Sequence, residues 1–174
     1  MRYQMSARLA LTALVFAAAA GSVSAQPTLY VEGAGASGLY AIGAEQVLFR
    51  SADGDQAFSV RAGAGYWTER SPFLDGGTET YLSAPLAGAA SFALGRLPLA
   101  IETTGGVVFG FERVAFPGRD ASTSDLVALP YGELALRASV TRDVSARVGA
   151  VVGGRHDFVT GGPVAPVLSV GYAL

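Results

Sequence analysis

The sequence predicts an all-β protein, an eight-stranded, antiparallel, up-and-down transmembrane β-barrel behind a cleaved signal peptide. Three observations predict it. Bulky apolar residues alternate with small or polar ones at period two through most of the chain after Pro27, the spacing of strands rather than helices. Most charges inside these stretches share one parity with Gly, Ser and Ala, while Leu, Val, Ile, Phe and Tyr hold the other. The final stretch, Val164 to Leu174, keeps this alternation to the last residue.

The 174 residues suit one domain. Arg2 and Arg8 accompany an apolar run from Leu9 to Ala20, and Val23 and Ala25 occupy the positions a signal peptidase reads. That run is shorter than the roughly 20 residues a spanning helix needs. Residues 1–25 are therefore expected to be a signal peptide, and residues 26–174 the barrel. Losing Arg2 and Arg8 takes the formal charge from −2 to −4. No basic cluster remains, so nucleic acid is not an expected partner. The absence of Cys excludes a disulfide-stapled mini-domain. One His without Cys supplies too few ligands for a metal site, and no metal or cofactor is expected.

Thr28 to Glu32 reads as a short strand, with Leu29 and Val31 opposite Tyr30 and Glu32. Gly33, Gly35 and Gly38 then satisfy the dinucleotide fingerprint G-x-G-x-x-G. That motif needs a βαβ unit, and the chain downstream alternates without recurring amphipathic helices, so a Gly-rich hairpin is expected. Leu39 to Phe49 places Tyr40, Ile42, Ala44 and Leu48 outward, and Ala41, Gly43, Glu45 and Val47 inward. Ser51 to Asp55 contains Asp-Gly, a strong hairpin signal.

Ala57 to Trp67 sets Phe58, Val60 and Tyr66 against Ser59, Arg61 and Trp67. A polar loop from Thr68 to Thr78 follows. Thr80 to Leu94 carries Leu82, Leu86, Phe92 and Leu94 opposite Tyr81, Ser83, Ala87 and Ser91, before a turn at Gly95 and Arg96. Leu97 to Val114 sets Leu99, Ile101, Val107, Phe109 and Phe111 against Glu102, Thr104, Gly106 and Glu112. After a second long loop, Pro117 to Asp125, Leu129 to Thr141 places Leu134, Leu136 and Val140 opposite Tyr131, Glu133 and Arg137. A turn at Arg142 and Asp143 leads into Ser145 to Phe158, which sets Val148, Val152 and Phe158 against Arg147, Arg155 and Asp157. Short and long connections alternate, the plan of a barrel with short periplasmic turns and longer outside loops.

The inward set thus holds Glu32, Glu45, Arg61, Glu102, Glu112, Glu133, Arg137, Arg147, Arg155 and Asp157. An Arg on the lipid face costs about 2–4 kcal/mol at the midplane, so a one-residue slip exposing Arg61, Arg137 and Arg147 is strongly disfavoured. The same parity opposes a soluble lipocalin-like carrier, which hides an apolar cavity and shows polar groups to water. Eight strands leave room only for side chains, so the Glu and Arg residues are expected to pair across a filled lumen.

The chain resembles the small bacterial outer-membrane β-barrel proteins of about eight strands. The likeness lies in an opening GxxGLYxxxxE at Gly35 to Glu45, an RxGxGYW strand at Arg61 to Trp67, and a closing SxGY at Ser169 to Tyr172. It covers nearly all of the mature chain through motifs of low specificity. Such barrels usually end in Phe or Trp, whereas this chain ends in Leu174. The resemblance implies residence in the cell outer membrane, contact with its lipid and handling by the barrel-assembly machinery, with the chain a monomer and any extracellular partner unspecified.

Some barrels of this kind act on membrane lipid and keep a His and a Ser together on the outer face. His156, the only His, has Phe158 two residues on and no Ser placed locally for activation, so no catalytic residue is expected. Tyr40, Tyr66, Trp67, Phe109, Phe111, Phe158 and Tyr172 are expected in the interfacial girdles.

Overall fold

The computed structural model describes residues 26–36, 40–70, 78–115, 122–154 and 164–174. The expected signal peptide lies outside them. So do Arg155, His156, Asp157 and Phe158. Eight strands run in chain order: β1 (Thr28–Gly33), β2 (Tyr40–Arg50), β3 (Gln56–Arg70), β4 (Thr78–Ala93), β5 (Leu99–Ala115), β6 (Ser122–Ser139), β7 (Val144–Gly153) and β8 (Val164–Ala173). Each pairs antiparallel with the next, and β8 returns to β1, from Thr28 opposite Ala173 to Gly33 opposite Leu168. The sheet is a closed barrel without an edge strand. No helix occurs among the described residues, so the glycine fingerprint has no βαβ unit to serve.

Side chains sort by parity as the pattern requires. In β8, Leu168 is 60% exposed while its neighbour Val167 is 1% exposed. Leu, Val, Ile, Phe and Tyr cover the outside of every strand, and Glu32, Glu45, Arg61, Glu102, Glu133 and Arg147 are buried within. This is the inverse of a soluble barrel and the polarity of a membrane-spanning one, which shows lipid an apolar band around a polar interior. The soluble-carrier alternative fails on that point.

Several element bounds differ from the sequence expectation, and four departures have a clear local reason. The register of β2 on β3 shifts between Val47 and Phe49, so that Phe49 lies opposite Phe58 and points outward at 60% exposure. A β-bulge adds one residue and reverses the parity beyond it. The second short turn occupies 94–98 rather than 95–96, because Leu94 accepts from Leu97 and donates to Leu99 across it. β6 begins at Ser122, inside the stretch expected to be a loop, since Ser122 to Asp125 pair with Glu112 to Ala115 of β5. Their lack of apolar alternation fits a strand end projecting past the lipid band. β7 stops at Gly153, where Gly153 and Gly154 take φ of +77° and +76°. Side-chain-bearing residues rarely adopt that conformation, and it ends the strand there.

The strands are unequal. β3 to β6 have 15, 16, 17 and 18 residues, against 6, 11, 10 and 10 for β1, β2, β7 and β8. A tilted strand crosses the hydrocarbon in about 9–11 residues. Among the described residues the long strands therefore stand taller than β1, β2, β7 and β8 at the end away from Gln26 and Leu174. At the opposite end, the turns 51–55, 94–98 and 140–143 are compact. In the first, the Ser51 hydroxyl and the Asp55 amide both donate to the Asp53 carboxylate.

Candidate functional site: a charged layer across the lumen

Among the described residues, the centre of the barrel is held by seven charge contacts between three Arg and four Glu. Glu45 on β2 and Arg61 on β3 are register partners, and Arg61 Nη2 lies 3.1 Å from Glu45 Oε2. The same nitrogen reaches Glu102 Oε1 on β5 at 2.6 Å, and Nη1 donates to Thr104 Oγ1 at 3.3 Å. Arg137 on β6 crosses the lumen to Glu45, Nη1 to Oε1 at 2.9 Å, and stands 3.5 Å from Glu102 Oε2. Arg147 on β7 contacts Glu32 at 2.5 Å, Glu102 at 3.1 Å and Glu133 at 3.4 Å. Glu102, 1% exposed, thus touches all three guanidinium groups and is the hub.

Taking charges out of water is costly, and such a layer holds only where each charge meets an opposite one with well-formed hydrogen bonds. Glu45 meets that demand, accepting from Arg61 Nε and Nη2 and from Arg137 Nη1. Glu133 meets it least. Its Oε1 and Arg147 Nε are close but not aligned, and neither atom has a hydrogen-bond partner.

Tyr30 completes the layer. The Arg147 guanidinium carbon sits 5.9 Å from the centre of its ring, within cation–π range. Towards the outer end Val108, Val151, Ala165 and Ala36 form a buried apolar cluster against which Tyr131 packs. Ala36, three residues past the end of β1, is buried in this cluster. Its neighbour Gly35 carries no side chain because a Cβ there would collide with the Glu32 carboxyl group. Tyr81 is wholly buried nearby on β4 and donates to Glu79.

Of the residues expected in the lumen network, the structure brings Glu45, Arg61, Glu102, Glu133, Arg137 and Arg147 together. Glu112 keeps the inward register but lies further out along β5, half-buried, opposite Tyr81 and Asp125. Arg155 and Asp157 fall outside the described residues. Sequence reasoning missed the Tyr81–Glu79 pair and the part played by Tyr30. The signal was present: both tyrosines, and Glu79, carry the inward parity of their strands.

No protein-family model and no curated sequence matches the chain. Solved structures do. Ail, the attachment invasion locus protein of Yersinia pestis, aligns with a TM-score of 0.52 at 9% identity, over 86% of this chain and 94% of that one. The N-terminal β-barrel domain of Pseudomonas aeruginosa OprF gives 0.48 at 13% identity over 86% and 96%, and Neisserial surface protein A gives 0.49 at 11% over 86% and 94%. Identities this low speak for the fold alone. It is the fold of the small outer-membrane barrels.

Proposed function

We propose that this chain works as a small outer-membrane barrel that spans the bilayer without conducting and without catalysing a reaction, serving as a structural element and as a platform for its outer connections. The observation that carries the reading is the Glu102-centred layer beneath the apolar cluster of Val108, Val151 and Ala165. An ion crossing the lumen would have to part several buried charge contacts and then pass the buried apolar cluster. The tall wall of β3 to β6 supports the reading of the outer end as the working end, since loops raised on a rigid scaffold commonly carry binding. We read the chain as a monomer, since β8 returns to β1 and closes the sheet within one chain.

Reconstitution into planar lipid bilayers tests this directly. The expected result is a current no greater than that of the bare membrane. Stable ohmic steps from the unaltered protein would overturn it. Incubation with outer-membrane lipid followed by mass spectrometry tests the non-catalytic part, and accumulation of a deacylated product would contradict it.

A further inference from the structure

The lumen is filled on one side of the charged layer only. On the other side, towards the compact turns and both chain ends, it opens into a vestibule of about 800 Å³. Next to the layer its wall carries small side chains, Ala57, Ser59, Ser91, Ser139 and Ser145, where the outer half of the lumen carries Tyr81, Tyr131, Val108 and Val151; larger residues such as Val47, Leu99 and Val144 line it elsewhere. Eight strands can be filled by side chains, so this half is kept open by residue choice. The volume lies in the range of small-molecule sites, about 300–1,000 Å³.

The floor decides which chemistry fits. It is made by Glu45 and Arg137. Glu45 is 6% exposed and committed to Arg61 and Arg137, and it offers little to a solute. Arg137 is different. It is the one guanidinium of the layer with substantial exposure, 24%, and it contacts Glu45 and Glu102 through Nη1 alone. Its Nη2 reaches only Ser145 Oγ, at 3.4 Å. What the floor offers the vestibule is thus a planar cation with an underused donor edge beside serine hydroxyls, while Asp55 and Asp143 at the turns are accompanied by Arg50 and Arg142. The geometry points to a binding site for a small carboxylate-bearing solute, which enters from the end carrying the termini and pairs with Arg137 Nη2, with Ser145 or Ser139 donating a further bond. A carboxylate matches the guanidinium fork in shape as well as charge. The site does not depend on whether the barrel conducts.

The test is titration of the folded, isotope-labelled barrel in lipid nanodiscs with acetate, and in parallel with its uncharged counterpart acetamide, by NMR. The expected result is saturable shifts at millimolar acetate, confined to the Arg137 side chain and the amides of Ser59, Ser139 and Ser145, and absent with acetamide. Arg137→Gln abolishes them. Ser91→Phe, which keeps every charge and narrows the vestibule beside Glu102, the register partner of Ser91, weakens binding at least about tenfold and keeps the test decisive if Arg137→Gln does not fold. Equal shifts with acetamide, acetate shifts that do not saturate, or shifts untouched by Ser91→Phe would each overturn the assignment.

Discussion

The ring of Tyr30 occupies the space that a side chain at Gly43 would need. A Cβ at Gly43 would come within 2.5 Å of the Tyr30 ring and 2.6 Å of the Ala62 carbonyl oxygen. These two residues are register partners on β1 and β2, and Gly63 continues the row on β3. The aromatic side chain therefore lies along two glycines and fills the lumen beside Arg147. Gly43→Ala is expected to destabilise the barrel by about 1–3 kcal/mol in urea unfolding from lipid vesicles, the range for overpacking. Gly105 faces lipid with nothing within 4 Å of its hypothetical Cβ, so Gly105→Ala is expected to stay within about 0.5 kcal/mol.

Arg147 serves three carboxylates on three strands. Arg147→Met leaves Glu32 and Glu133 without their charge contacts in the layer and removes one of the three cations around Glu102. A loss of about 3–5 kcal/mol is expected, as for breaking a buried ion pair from one side. Glu133→Gln removes the least well bonded carboxylate and is expected to cost clearly less. Equilibrium unfolding of both variants checks the order.

The outside is equally specific. Leu134, 62% exposed in mid-strand on β6, lies opposite Thr103 and Ala150, away from both rims. Leu134→Arg is expected to destabilise the barrel by about 2–4 kcal/mol in a bilayer. In a detergent micelle, which deforms more easily around a charge, the loss should shrink. Unfolding in the two media measures the difference.

At the compact end, the Ser51 hydroxyl and then the Asp55 amide hold the Asp53 carboxyl below its ordinary range. A carboxylate with a lowered folded-state value supports the turn above the unfolded value and loses that support as pH falls through the folded one. Carbon-detected NMR titration should find Asp53 protonating below an unstructured Asp, and Ser51→Ala should move it back up. No movement would show that the hydroxyl does not act on it.

Much of this was legible in the residues because charge parity is a strong signal. Arg61, Arg137 and Arg147 cannot all face lipid, and fixing them fixes the register of β3, β6 and β7. The boundaries were harder. Val47, Leu48 and Phe49 are three bulky residues in succession, a sign of broken alternation, yet only pairing with Phe58 shows where the bulge falls. Ser122 to Asp125 look like loop because a strand leaving the lipid band no longer needs apolar residues. The rank of Glu102 as hub could not be read at all, since it depends on guanidinium groups converging from three strands distant in sequence. The vestibule was hidden for a related reason: small residues on a strand imply space only once the opposite wall is in place.

Site-directed nitroxide scanning along β6, feasible in a chain without Cys, gives the sharpest check of lipid outside and charge within. Labels placed singly from Gly132 to Ala138 in lipid vesicles should relax strongly with dissolved oxygen at Gly132, Leu134, Leu136 and Ala138, and weakly at Glu133, Ala135 and Arg137. Strong oxygen relaxation at the odd positions, or the same value at all seven, would contradict the assigned polarity of the barrel.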